Sequence, residues 1–337
     1  MFIITRFKKK PSFTASSLPD VTIIIPAYNE ADILQEKIHN TLSLNYPDGL
    51  LKIIVITDGS TDSPEKILAA YPGVLHLHEA KRKGKSAAIN RAMKEVTTSV
   101  TIFTDANSIL NAEAILKLAE HFANPLTGGV SGEKRIISNK SSDVADEGEG
   151  MYWKYESALK KMDARLFSIV GAAGELFAIR SKLYKPLEED TILDDFVLSL
   201  RICESGFRIA YEPSAIAYER ASASVEEEYK RKTRIAAGAF QAMGRLHSIW
   251  NPFRHPVLHF QFISHRILRW VACPPALVLL LILNILLVLF NGGTLFEILL
   301  FLQLLFYAFA FTGFMLSKSN ISIRIFNIPF YFVFMNY

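Results

Sequence analysis

The sequence predicts an α/β region, a mostly parallel sheet covered by helices, followed by C-terminal transmembrane helices. Three observations predict it. Four short β-branched runs alternate with helical patterns over the first 122 residues. Polar, chemistry-bearing residues collect just after each run. From Val271 to Leu316, 46 positions carry a single formal charge, Glu297. Alternating strand and helix is the pattern of βα units on a parallel sheet, and such sheets bind ligands at the carboxyl ends of their strands.

Taken in order, Val21–Pro26, Ile53–Thr57, Val74–His78 and Val100–Thr104 read as buried strands. Helical segments 31–44, 64–70 and 86–95 lie between them, and 112–122 follows the fourth. The strand ends give Ala27-Tyr28-Asn29-Glu30, Asp58-Gly59-Ser60, residues 79–85 and Asp105-Ala106-Asn107. Beyond Asn107 the pattern changes. Segments 128–137 and 167–180 read as strands with a helix over 144–164 between them. A helix over 195–204 opens with acid and stops at Gly206, as helix capping requires. A short strand over 208–211 and a helix over 225–246 lead to the membrane.

The apolar stretch divides into spans of about 271–290 and 295–316, joined by Asn291-Gly292-Gly293-Thr294. Each is long enough for one bilayer crossing. Between Tyr229 and Trp270 there are eight Lys or Arg and no Asp or Glu, and the loop after the hairpin adds Lys318 and Arg324, whereas the hairpin tip has none. By the positive-inside rule the large region and the 317–324 loop are cytoplasmic. The place of this basic block beside a span argues for lipid rather than nucleic acid as its partner. Residues 255–269 mix aromatic and aliphatic residues with His and Arg and read as an amphipathic helix on the membrane surface. The apolar run 325–337 is too short to cross; it reads as an interfacial segment or as a span cut by the end of the sequence. The N-terminal apolar stretch before Lys8-Lys9-Lys10 is too short for a signal peptide and reads as the cytoplasmic end of an upstream helix.

Composition excludes several classes. At 50% apolar and 21% charged residues, the chain is neither disordered nor collagen-like. A net charge of +4 does not imply nucleic-acid binding, and two cysteines cannot build a disulfide framework. Arg82-Lys83-Gly84-Lys85-Ser86 lacks the glycine that a Walker A loop needs at position 79. Its lysines remain candidates to meet phosphate ahead of a helix. His76 and His78 share a strand face without a third ligand and read as ordinary strand residues. Asp105-Ala106-Asn107 reads either as an Asx turn or as two oxygen ligands for a hard cation, Mg²⁺ or Mn²⁺. No serine lies in a recognisable Ser-His spacing, which argues against an acyl-enzyme mechanism.

The ordered set Val21-Thr-Ile-Ile-Ile-Pro-Ala-Tyr-Asn-Glu30, Thr57-Asp-Gly-Ser-Thr-Asp62, Lys83-Gly-Lys-Ser-Ala-Ala-Ile-Asn90, Phe103-Thr-Asp-Ala-Asn107, Gly171-Ala-Ala-Gly-Glu175 and Leu193-Asp-Asp-Phe-Val-Leu198 resembles glycosyltransferase family 2, in its membrane-anchored bacterial branch distantly related to cellulose and hyaluronan synthases. The resemblance covers roughly residues 20–240. It implies a GT-A fold, a nucleotide-sugar donor (usually a UDP-sugar), a divalent metal, inversion at the anomeric carbon, a lipid or glycan acceptor, and a place in the bacterial inner membrane. It assigns Pro26, Tyr28 and Glu30 to the nucleoside pocket, Asp58 to the uracil, Lys85 to the nucleotide, Asp105 and Asn107 to the metal, Asp195 to the catalytic base and Gly171, Gly174, Glu175 and the neighbouring Asp194 to the donor sugar and acceptor. Arg234, in Arg231-Lys-Thr-Arg234-Ile235, stands where processive synthases have QxxRW, and would help offset charge on the leaving group. Three departures matter. Thr57 replaces an Asp; Asn107 replaces the second DxD acid, which removes a charge and weakens the metal site; Arg231 and Ile235 replace Gln and Trp, which argues against long-chain processive synthesis. The implied organisation is a basic segment 1–20, a GT-A domain 21–246, an interfacial segment 247–270 and a transmembrane region 271–337. The rival readings are a polyprenyl-phosphate glycosyltransferase and a non-catalytic membrane scaffold with the same fold.

Overall fold

The computed structural model describes residues 18–137, 144–220, 225–318 and 323–336. The N-terminal basic segment up to residue 17 and residues 319–322 of the 317–324 loop lie outside them.

One mixed eight-stranded sheet organises the chain, in the order β3-β2-β1-β4-β7-β6-β8-β5. Its first half is built from β1 (Val21–Ala27), β2 (Leu51–Asp58), β3 (Val74–Glu79) and β4 (Val100–Phe103), all parallel. The crossovers carry α1 (Ala31–Leu42), α2 (Pro64–Leu68) and α3 (Lys85–Ala92). Both faces are covered, so β1 reads as a continuous apolar run, and its side chains divide by alternation. Ile23 and Ile25 join Leu34 and Ile38 of α1 in one core layer. Ile24 joins Ile89 of α3 in the other.

The second half reverses direction. β7 (Phe177–Arg180) lies antiparallel to both β4 and β6 (Thr127–Ile137), β8 (Arg208–Arg220) runs parallel to β6, and the two-residue β5 (Ile109–Leu110) closes the edge against β8. Helix α4 (Ala114–Glu120) packs on β8, α5 (Val144–Leu166) on β6, and α6 (Asp194–Glu204) on β8 and β6, in the same core layer as Ile24 of β1 and Phe103 of β4.

Two strand expectations are corrected. Of residues 167–180 only 177–180 form a strand. Residues 167–176 are an apolar loop, buried over Ser168–Ala173, and Gly171 turns in the left-handed region at φ +89°. A Cβ there would lie 2.3 Å from the Phe196 ring, so glycine is required twice over. Small apolar residues produced the strand-like pattern, but their backbone is buried without joining the ladder. β8 runs on to Arg220 rather than ending at Tyr211, because the register shift between Ser131 and Glu133 sets residues 212–215, Pro213 among them, opposite the single Gly132.

Toward the C-terminus, α7 (Val225–Arg245) leads to α8 (Pro256–Phe262), a π-helical stretch Ile263–Ala272 and α9 (Cys273–Leu289). These last three form one continuous 34-residue helix. α10 (Thr294–Lys318) returns from the hairpin, and these two helices are long and apolar enough to cross a membrane. The 13-residue α11 (Arg324–Asn336) packs on α10, where Gly313 lets the two backbones meet at Phe326.

The amphipathic character of 255–269 is present, and several of its polar residues pack into the protein. Leu258, Gln261, Phe262, His265 and Arg266 are all buried. Glu156 of α5 accepts from Arg266 at 2.9 Å and Arg269 at 2.8 Å. Asp163 of α5 pairs with His265 and accepts from Gln261 Nε2 at 3.0 Å. Arg266 also donates to the Val170 carbonyl at 2.6 and 2.9 Å. Buried carboxylates on α5 thus claim the cations expected to face lipid headgroups. Burial alone would raise the Glu156 pKa, but Arg266 and Arg269 outweigh it and hold the group well below the usual carboxylate range.

Candidate functional site

The strand ends of the parallel half open into a cleft lined by Pro26 of β1, Lys85 of α3, Asp105, Gly174, and Asp194 and Asp195 at the start of α6, over an apolar floor that includes Ile89, Phe103 and Phe177. Each polar group arrives by a local rule. Lys85 opens α3 after Gly84, which sits at φ +100°. Asp105 follows β4 where the apolar run ends. Asp194 and Asp195 stand in the first turn of α6, where unpaired N–H groups favour carboxylates.

Lys85 organises the charges. Its Nζ lies 2.7 Å from Asp105 Oδ1 and 3.8 Å from Asp194 Oδ2. Burial would lower its pKa, but Asp105, Asp194 and Asp195 outweigh that and hold it above the usual lysine value. Asp195 accepts the Phe196 N–H at 2.8 Å. Burial and the neighbouring Asp194 push its carboxyl up to about 7, against the pull of Lys85. A carboxylate balanced near neutrality is suited to take a proton. Gly174 stands over it: a Cβ there would sit 3.2 Å from Asp195 Oδ2 and 3.6 Å from Lys85 Nζ.

At the rim, Tyr28 is exposed and the Arg82 guanidinium stacks 3.6 Å from its ring centroid. Gly59 permits this approach, since a Cβ there would lie 2.7 Å from Arg82 Cβ. Glu30 lies in the same loop, its carboxyl raised by burial and held by the Tyr28 N–H at 3.3 Å. Two loops interlock here. Asn29 Oδ1 accepts the Thr61 N–H at 2.8 Å, and Asp62 caps α1 by accepting the Ala31 N–H at 2.7 Å.

Several expected residues are placed elsewhere. Asp58 is buried: its Oδ2 accepts the Lys83 and Gly84 N–H groups at 2.7 Å each, and its Oδ1 pairs with Arg91 at 3.0 Å, so both oxygens have partners within the protein. Glu175 borders the cleft by its backbone only. Its carboxylate is turned to Lys134 at 2.6 Å, which outweighs burial and lowers its pKa to about 2. Arg234 is exposed on α7, away from the cleft lining, and Arg231 pairs with Glu228. Asn107 is exposed and donates to Glu219 at 2.8 Å.

Lys37 was not anticipated. It is fully buried, and its Nζ donates to Thr104 Oγ1 at 2.8 Å and to the Ser108 carbonyl at 2.5 Å. Burial lowers it to about 7 despite Asp105. It fixes both ends of the turn that carries Asp105 and Asn107. Its signal was spacing: Leu34, Lys37, Ile38 and Thr41 occupy one helical face, on which a lysine is out of place.

The cleft's donors suit a hard divalent cation. Among the described residues no three His, Cys, Asp or Glu side chains gather closely enough to hold an ion alone. A site with one or two carboxylates, here Asp105, and further ligands from a phosphorylated substrate is the usual arrangement for Mg²⁺. Three cleft carboxylates against one ammonium leave a local negative excess for such a cation to offset.

Residues 22–187 match the family described as glycosyl transferase family 2. The chain is similar to the poly-beta-1,6-N-acetyl-D-glucosamine synthase of Staphylococcus aureus, at 25% identity over 275 residues, covering 78% of this chain and 65% of the synthase. It is likewise similar to that of Staphylococcus epidermidis, at 25% over 244 residues, covering 69% and 57%. This chain therefore spans somewhat less than two thirds of the relatives' length. A solved mannosyltransferase from Pyrobaculum calidifontis, in complex with GDP-Man and Mn²⁺, superposes with a TM-score of 0.67 at 22% identity over 90% of both chains. That likeness is one of fold, and it agrees with the GT-A expectation.

Proposed function

Because the chain carries a glycosyl transferase family 2 domain over residues 22–187, we propose that it is a membrane-bound inverting glycosyltransferase. It moves a sugar from a nucleotide-sugar, with UDP the favoured nucleotide, to a hydroxyl of a membrane-associated glycan or lipid. The observation that carries this reading is the convergence of Lys85, Asp105, Asp194 and Asp195 on one cleft at the strand ends. The synthase relatives support a glycan acceptor, and the two long apolar helices support a bilayer setting with the cleft on the cytoplasmic side.

The residues divide the work. Tyr28 and Pro26 flank the nucleoside, with Glu30 beside them. Lys85 meets the diphosphate and offsets the charge that grows as the sugar–phosphate bond breaks. Asp105 and the Asn107 amide oxygen would hold Mg²⁺ or Mn²⁺, which supplies Lewis-acid stabilisation of the departing diphosphate. Asp195 takes the proton from the acceptor hydroxyl as its oxygen attacks the anomeric carbon opposite the departing phosphate. One displacement without an enzyme nucleophile inverts that carbon. Asp194 orients Lys85, Gly174 leaves room for the sugar, and Gly171 lets Phe196 pack beneath the loop that carries it.

A donor panel tests the proposal. Purified full-length protein in detergent, given nucleotide-sugars and lipid extract, releases nucleoside diphosphate with one donor and forms a product of inverted linkage. Release with no donor would leave the scaffold reading. A product on polyprenyl phosphate, with Asp195→Asn still active, would favour the polyprenyl-phosphate reading.

A further inference from the structure

Asn107 looks like a weakened acid in the sequence, but its surroundings say otherwise. Its Nδ2 donates to Glu219 Oε1 at 2.8 Å. Only the nitrogen end of an amide can face a carboxylate, so this contact fixes the amide's orientation. The oxygen is then the free end, and among the described residues no group donates to it. Glu219, on β8, is held on its other side by Lys134, which is itself shared with Glu175 at 2.6 Å. Lys134 is thus shared between two carboxylates, and Glu219 sets its own carboxylate directly beside Asn107.

We propose that Asn107 and Glu219 form one cation-facing unit, in which Glu219 is a positioning residue that orients the amide oxygen and returns the negative charge absent from position 107. This rests on the metal-dependent reading of the cleft. It reverses the expectation from sequence: a carboxylate at 107 would stand 2.8 Å from another carboxylate, and one of the two would turn away or protonate. Asn is therefore the residue that matches Glu219.

Mn²⁺ binding to the full-length protein in detergent tests this, with Mn²⁺ alone and with inorganic pyrophosphate present, read by calorimetry and by the loss of the free-ion EPR signal. Asn107→Asp is expected to weaken binding by about 10-fold or more, within the range for altered support of a metal ligand. Glu219→Gln alone weakens it less, since the glutamine oxygen can still accept from Asn107. The double substitution N107D/E219Q restores near wild-type affinity, because the glutamine nitrogen now donates to the new carboxylate. A purely structural role for Glu219 would not give that rescue; thermal unfolding of all four proteins accompanies the titrations. If Asn107→Asp tightens Mn²⁺ and the double substitution adds nothing, the pairing is wrong while the metal reading stands. If the wild type binds no Mn²⁺ even with pyrophosphate, the metal reading fails and this proposal with it.

Discussion

In the cleft, one ammonium, Lys85, faces the carboxylates of Asp105, Asp194 and Asp195. At the junction between α5 and the membrane-entry helix, the carboxylates of Glu156 and Asp163 face Arg266, Arg269 and His265. Both clusters touch the 167–176 loop, one at Gly174 and the other at the Val170 carbonyl. The junction is internally paired: its two carboxylates are held by hydrogen-bond donors of the facing helix, and ionisation of Glu156 favours the fold. The cleft has more acid than base, and ionisation of Asp195 opposes the fold. Internally paired clusters position; clusters left with an excess charge are where a ligand completes the electrostatics.

Breaking the junction should have the largest effect. Arg266→Met leaves Glu156 buried with a weaker set of partners and the Val170 carbonyl without a donor. Loss of one partner from a buried pair costs roughly 3–5 kcal/mol, so a marked drop in the thermal midpoint in detergent is expected. A midpoint within a degree of wild type would show that the network is not structural.

Asp195→Asn breaks the cleft without breaking the fold. Transfer should fall by ~10²-fold or more with nucleotide affinity retained. The thermal midpoint should rise by a few degrees above pH 7, because a neutral amide removes a carboxylate that burial disfavours. Activity near wild type would remove the base assignment.

The pH dependence sharpens the contrast. The Asp195 carboxyl is raised from 3.8 to about 7, so its contribution to stability is present in acid and is lost as pH rises through about 7. The rate runs the other way, since only the ionised form accepts a proton: kcat/KM should climb through about pH 7. Glu156, held low, keeps its contribution at every pH above the usual carboxylate range and loses it only in stronger acid. A rate profile flat from pH 5 to 9 would separate Asp195 from catalysis.

Asp194→Asn should have the smallest effect, a few-fold loss of rate, because Lys85 keeps its 2.7 Å contact with Asp105. A loss equal to that of Asp195→Asn would exchange the two roles.

The sequence made the parallel half legible almost residue by residue, since strands covered on both faces read as apolar runs and their carboxyl ends carry the chemistry. It was less informative wherever burial was achieved without regular structure. The Ser168–Ala173 segment has a strand's composition and a loop's backbone. The destinations of charges were also hidden, because a motif gives a residue's place in the chain and not the partner that claims it. Asp58 is held by Arg91, Glu175 by Lys134, and Arg266 by Glu156. Lys37 was visible as an ion on an apolar face, and His121 pairing with Glu212 at 2.8 Å was not.

The unbroken helix from Pro256 to Leu289 sets a height. At about 1.5 Å per residue its 34 residues make a rod of roughly 50 Å, while a bilayer's hydrocarbon is about 30 Å thick. In the proposed membrane setting about 20 Å of that rod stands clear of the lipid tails, and it is the portion clamped to α5 and to the loop beside Gly174. There the cleft is carried on a stiff mast rather than a tether, and its stand-off from the bilayer is a gauge. For the proposed acceptors, a reactive hydroxyl that rises to that height on its own lipid or glycan stem is in reach, and a shorter one is not. A thicker or thinner bilayer, by tilting the mast, would shift the length of acceptor that the enzyme favours.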